Sequence, residues 1–261
     1  MTSIWWTIVA SLGLFAGMVV CLDIGFRVAR QSASRHPGPT HEGVGAMEAA
    51  VFALLGLLLG FSFAGGTSRL DARRQLIVEE ANAVGTAYLR LDLLPPAGQP
   101  EMRRLFREYV DARLRVYELL ANAKAVEAEL AHAEHLQKEI WSRATVLSSS
   151  DATQNSARLL LPAVNEMMDV TTARTVALHM HLPPLIFALL VVVALLSSLL
   201  AGYAMAQRRR RSWLHMLFYA AAVSSTVYVV LDLDNPRFGW IHLASADNAL
   251  IQVRDSIPSQ E

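Results

Sequence analysis

The chain has one cysteine, Cys21, in 261 residues, so no intrachain disulfide framework and no cysteine-rich metal site can form. Charge is scarce as well. Asp, Glu, Lys and Arg make up 18% of residues, where a soluble domain carries about a quarter. Neither sign dominates: 23 basic residues face 23 acidic ones, which argues against nucleic acid as a partner held by bulk charge. No P-loop, G-x-G-x-x-G, H-E-x-x-H or G-x-S-x-G motif occurs, and an enzyme is the least supported class. Strand-type alternation, low-complexity tracts and repeats beyond the heptad are also missing. A hydrophobic content of 53% excludes disorder.

The apolar residues are concentrated. Ile4 to Leu22, Ala49 to Ser68, Leu185 to Met205 and Ser212 to Leu231 are each long enough to cross a hydrocarbon core of ~30 Å as a helix. The first block has no Lys or Arg before it and no A-x-A pattern after it, so an uncleaved span is expected. Met18-Val19-Val20-Cys21 lacks the small residues of a lipoprotein site, and Cys21 reads as inert.

Gly66 to Leu182 differs in kind, with 14 basic and 15 acidic residues. Leu70, Ile77, Ala81, Val84, Tyr88 and Leu91 form one helical stripe, broken by Arg74 and ended by Pro95-Pro96. Further helices are expected over about Glu101 to Asn122, Ala125 to Leu147 and Asn155 to Met180. A single helix from Glu101 to Leu147 would be ~70 Å long at ~1.5 Å per residue, which could not easily return the chain to the membrane. The predicted fold is therefore an all-α integral membrane protein. Residues 1–65 hold spans 1 and 2, 66–182 an up-down four-helix bundle outside the bilayer, 183–233 spans 3 and 4, and 234–261 an amphipathic or polar tail. Gly65-Gly66 permits either a hinge or an uninterrupted helix from span into bundle.

Candidate functional residues cluster in three places. Glu48 opens span 2 on a face shared with Phe52, Leu55, Leu59 and Ser62; with Asp23 it could form a charged mouth or simply pair with Arg27 and Arg30. Ala49, Ala53, Gly56, Gly60 and Ala64 form a small-residue stripe suited to helix packing. The bundle begins with Arg69, Asp71, Arg73, Arg74, Glu79, Glu80, Asn82, Thr86 and Arg90, either a salt-bridged base or a charged vestibule above an ion pathway. Arg74, at a core position, calls for a carboxylate partner, and Asn165, Glu166, Asp169 and Arg174 on the last bundle helix are the candidates. Ser225, Tyr228 and Asp232 share one face of span 4, positioned for cross-helix hydrogen bonds or water. His132 and His135 read as a solvated face, and His179 and His181 as interfacial residues; no metal or cofactor is called for.

The run Arg69-Leu-Asp-Ala-Arg-Arg-Gln-Leu-Ile-Val-Glu-Glu-Ala-Asn-Ala-Val-Gly-Thr-Ala-Tyr-Leu-Arg90, followed by Leu-Asp-Leu-Leu-Pro95, resembles the bacterial bestrophin-like domain family. Asn165-Glu-Met, Arg174, Leu182-Pro183 and Asp232 to Gly239 fit the same pattern. The resemblance implies a homo-oligomeric ion channel, anion-conducting by analogy with bestrophins, with the lipid bilayer and ions as partners. Asp232 to Pro236 lacks the spaced ligands and closing Glu of an EF-hand, so calcium gating is not carried over. The alternative is a sensor or scaffold whose bundle binds a ligand or partner protein.

Seven arginines, Arg27, Arg30, Arg35 and Arg208 to Arg211, lie in the two short loops that four spans place on one side. They put those loops in the cytoplasm, and the bundle and both termini outside a bacterial inner membrane. Lys138→Cys is then labelled by an impermeant thiol reagent without permeabilisation of the inner membrane; labelling only after permeabilisation reverses the orientation.

Overall fold

The computed structural model describes residues 4–35, 43–119, 122–149, 153–207, 212–234 and 244–257. The elements are α1 (Ile4–Arg35), α2 (Gly43–Leu89), a 3-10 turn (Arg90–Leu93), α3 (Gln99–Glu118), α4 (Ala123–Leu147), α5 (Gln154–His179), α6 (Pro184–Gln207), α7 (Trp213–Asp234) and α8 (Ala244–Ser256). Among the described residues there is no strand. Among the described residues four helical segments are long and apolar enough to cross a membrane: Trp5–Ser32, Gly45–Leu93, Gln154–Ala206 and Trp213–Asp234. Leu120, Asp151, Arg208 to Arg211 and Asn235 to Gly239 lie outside the described residues. Helix α2 is uninterrupted through Gly65-Gly66.

The chain divides into two compact units, one of described residues from Thr2–Leu70 and His181–His242, the other from Asp71–Met180 and Leu243–Glu261. In the first, α1 packs on α6 and α7. Met18 and Leu22 of α1, Leu55 of α2, Ala194 of α6, and Met216 and Ala220 of α7 share its core. The α1–α6 contact is set by backbone. A Cβ on Gly25 would sit 2.0 Å from the Leu199 carbonyl oxygen, and one on Gly202 would sit 2.0 Å from that of Leu22. Only glycine admits such an approach. Ser197 and Ser198 both donate to the Ala194 carbonyl of their own helix at 2.8 Å, and the Tyr219 hydroxyl of α7 lies 2.7 Å from Ser197 Oγ.

In the second unit the expected α2 stripe is buried at Ile77, Ala81, Val84, Tyr88 and Leu91. It shares a core with Met102 and Phe106 of α3, Leu136 and Ile140 of α4, and Leu160 and Met167 of α5. The α3–α4 break carries neither Gly nor Pro. It is made by an N-cap, the Asn122 side chain accepting from the Ala125 N–H at 3.3 Å. Helix α8 belongs to this unit. Leu250 and Ile257 are buried in its core, Arg254 pairs with Asp111 at 3.1 Å, and Arg107 donates to the Ile257 carbonyl at 2.6 Å.

One packing expectation is corrected. Arg74, on the stripe by periodicity, has a side chain 41% exposed and lies 3.6 Å from Asp71. Its neighbour Arg73 is the buried one, donating to the Ala177 and Met180 carbonyls at 3.1 and 2.7 Å. The C-terminal carbonyls of α5 lack helical partners and carry partial negative charge, which stabilises a guanidinium there.

Gly202→Ala should lower thermal stability in detergent by about 1–3 kcal/mol, because overpacking outweighs the gain in helix propensity. Gly13→Ala, with no atom within 4 Å of the added carbon, should leave stability unchanged or raised. Equal behaviour of the two variants would remove the backbone contact as the cause.

Candidate functional site

The second unit holds a buried ionic cluster. Glu80 of α2 is completely buried and is bonded by two guanidiniums. Arg113 of α3 donates from Nε at 2.6 Å and from its second nitrogen at 3.2 Å, and Arg174 of α5 pairs with the same carboxylate. Tyr109 Oη lies 2.7 Å from Thr171 Oγ1 and accepts from Gln137 Nε2 at 3.3 Å. Burial alone raises the Glu80 pKa, but the charges and hydrogen bonds of Arg113 and Arg174 outweigh it, and the carboxyl titrates below its ordinary value. Burial first, then the nearby Glu80 charge, raises the Tyr109 pKa, so its hydroxyl stays protonated. This cluster joins three helices through fully desolvated charges. It is sealed from solvent and positions helices instead of meeting a ligand.

Beside it an open groove of about 410 Å³ runs between α2 and α5, lined by Glu79, Asn82, Thr86, Arg90, Pro162 and Glu166, among others. Pro162 sits inside α5 and cannot donate to the carbonyl one turn back. Next to that gap Arg90, the first residue of the 3-10 turn after α2, donates to the Leu159 carbonyl at 2.6 Å. The groove therefore presents two carboxylates, an amide and a hydroxyl, with its one arginine engaged on backbone.

The candidate residues separate accordingly. Asn82, Arg90 and Glu166 line the groove. Asn165 and Asp169 bond each other at 2.8 Å on the exposed face of α5. Arg73, Glu80 and Arg174 are buried and line no open space. Arg69 is tied to the last residue of α7: Asp234 lies 3.0 Å from Arg69, accepts the Leu182 N–H at 2.9 and 3.0 Å, and is 3.4 Å from His181. Asp232 and Asp234 lie in the last turn of α7, and Asp234 braces its end. Asp23 pairs with Arg27 at 2.6 Å. His132 and His135 are exposed, and among the described residues no group of three or more His, Cys, Asp or Glu could hold a metal.

In the membrane unit the face expected to line a pathway is turned into the chain. Leu55 and Ser62 are buried, Glu48, Phe52 and Leu59 are partly buried, and the Phe52 ring meets Tyr219 edge-on at 5.6 Å. Ala49, Ala53, Gly56, Gly60 and Ala64 are all exposed, and no atom lies within 4 Å of a carbon built on Gly56 or Gly60. Among the exposed α2 residues, Ala53, Leu57, Gly60, Ala64 and Ser68 in the membrane unit, and Asp71, Gln75, Glu79, Asn82 and Thr86 in the other, recur at spacings of three and four; Leu54, Phe61, Phe63, Ala72 and Val78 are exposed beside them. Such spacings keep each set on one face of the helix. The signal was present in the sequence as spacing, but a mixed apolar, small and polar stripe has no hydrophobic contrast to reveal it. Arg113 and Tyr109 were missed for a related reason: they occupy the centre of an otherwise apolar face of α3, flanked by Phe106 and Val116.

A family model for the bestrophin-like domain matches residues 5–240. The chain belongs to the bestrophin-like family. Among solved structures, a variant of a bacterial bestrophin homologue from Klebsiella pneumoniae has a TM-score of 0.66 to this bestrophin-like chain at 15% identity, covering 95% of this chain and 98% of its own. A variant of a crystallised membrane protein has a TM-score of 0.67 at 14% identity, covering 94% and 98%. Both share the helical fold. No curated protein matches the chain.

Glu80→Gln leaves two buried guanidiniums without their counter-charge and should cost about 3–5 kcal/mol of stability at pH 7. Because the folded pKa of Glu80 is lowered, its contribution is present above the unfolded carboxylate value of about 4.3 and is lost as pH falls through the folded value. Thermal melts between pH 7 and pH 3 should show this acid loss in the wild type and a shallower one in Glu80→Gln.

Proposed function

We propose that this bestrophin-like protein is a homo-oligomeric ion channel whose pathway is lined by the open stripe of α2. The observation that carries this reading is the stripe itself. Ten residues at helical spacing stay open, apolar or small through Ala64 and polar from Ser68 onward. A helix face left unpartnered at bilayer depth, and continued by carboxylates, amides and hydroxyls, suits copies arranged about a common axis. Leu57 then forms an apolar constriction, and Glu79, Asn82, Thr86 and Glu166 the wall of a wider polar vestibule. In this reading the second unit is an up-down four-helix bundle of α2, α3, α4 and α5.

The charges favour cations over the anions that the bestrophin analogy implies. Asp71, Glu79, Glu166 and Asp169 are exposed, whereas Arg90 is held by the Leu159 carbonyl and Arg74 lies beside Asp71. A wall with excess negative charge concentrates cations.

Purified protein in liposomes should pass sodium or potassium faster than chloride. Leu57→Ala should raise the flux several-fold, and the pair Glu79→Gln with Glu166→Gln should lower the cation-to-anion ratio several-fold. Chloride flux exceeding cation flux overturns the selectivity, and absence of any ion flux across a broad range of pH and voltage overturns the channel.

A further inference from the structure

The membrane unit has a second open feature that the ion pathway does not use. A groove of about 430 Å³ lies between α1 and α7, walled by Ile8, Leu12 and Phe15 on one side and Ala221, Ser225 and Tyr228 on the other. Its walls are apolar in effect. Ser11 donates to its own helix at the Thr7 carbonyl, and Ser224 points to Met18 Sδ at 3.8 Å. Small residues on α7, Ala221, Ser224 and Ser225, make the room.

Depth identifies the occupant. Ile8 is four residues inside the start of span 1 and Tyr228 three residues inside the end of span 4, so the mouth lies about 5 Å below the span ends at ~1.5 Å per residue. Phe15 and Ala221 are eleven and ten residues inside, or about 16 Å deep. The groove therefore runs along the bilayer normal through one leaflet, half of a core of ~30 Å. An acyl chain likewise lies along the bilayer normal within one leaflet, which matches this range of depth. Trp5 and Trp6, in the turn of α1 that precedes Ile8, are exposed at headgroup level, and Tyr228 of the groove wall brings a hydroxyl to the depth of glycerol esters.

We propose that this groove is a phospholipid site. One acyl chain lies between α1 and α7, the Tyr228 hydroxyl donates to an ester carbonyl of the same lipid, and Trp5 and Trp6 flank the headgroup. The site explains why Ser225 and Tyr228 share a face of α7 in a segment otherwise suited to plain apolar packing. It needs only that the chain spans a bilayer, and it stands or falls separately from ion conduction.

Native mass spectrometry of the full chain released from mild detergent should find phospholipid retained by the wild type. Ala221→Leu and Ser225→Leu, which fill the groove, should each abolish retention. Tyr228→Phe removes only a hydroxyl and should reduce retention several-fold on detergent washing; it decides the matter even where the leucine variants do not fold. Equal lipid content in wild type and Tyr228→Phe overturns the ester contact. Leucine variants that keep their lipid, or that change oligomer mass while keeping it, overturn the site and give the groove to a second copy.

Discussion

Glu80 lies in a dry interior between Arg113 and Arg174, and the second unit is organised around that contact. A carboxylate with no exposure has no water to fall back on, so each of its oxygens must be met by a donor from the protein. The donors come from α3 and α5, which registers those helices against α2 more narrowly than leucine packing would. Tyr109, Thr171 and Gln137 complete the cluster by bonding one another. With Ile77, Glu80, Ala81 and Val84 turned inward, the other face of α2 in this unit is left open along Asp71, Gln75, Glu79, Asn82 and Thr86.

The membrane unit meets the same requirement by other means. In hydrocarbon the driving force for helix association is close packing, and Gly25 and Gly202 allow α1 and α6 to touch backbone to backbone. Ser197 and Ser198 of α6 bond to a carbonyl of their own helix, which satisfies both hydroxyls in hydrocarbon. Ion pairs flank the apolar blocks: Asp23 with Arg27 just past the apolar stretch of α1, and Asp234 with Arg69 at the end of α7. The contacts of Asp234 tie chain segments that are far apart in sequence, including the link that carries His181 and Leu182.

Legibility in the sequence followed contrast. Spans, the α2 stripe from Ile77 to Leu91 and the approximate ends of α3, α4 and α5 were readable, because apolar and polar positions differ sharply there. Arg74 misled because Arg73 and Arg74 are adjacent on the helix, and periodicity alone does not say which one meets the carbonyls that end α5. The glycine spacing in α2 was conspicuous, yet the contact that uses glycine lies in α1 and α6. There Gly13, Gly17, Cys21, Gly25 and Ala29 recur every four residues, as do Ala194, Ser198 and Gly202. Several equivalent stripes compete in sequence, and only a partner helix selects among them.

The sequence by itself determined that this is an all-helical membrane protein with a charged helical insert, and the run from Arg69 to Arg90 marked its family. Those properties follow from local composition and periodicity, which hydrocarbon and water sort without reference to distant residues. Tertiary structure alone decided which face of α2 is sealed, which arginines are buried, and where the groove between α1 and α7 lies. These depend on side chains far apart along the chain: Glu80 and Arg113 are separated by 33 positions, Arg69 and Asp234 by 165, and Met18 and Ser224 by 206. No local pattern encodes that proximity.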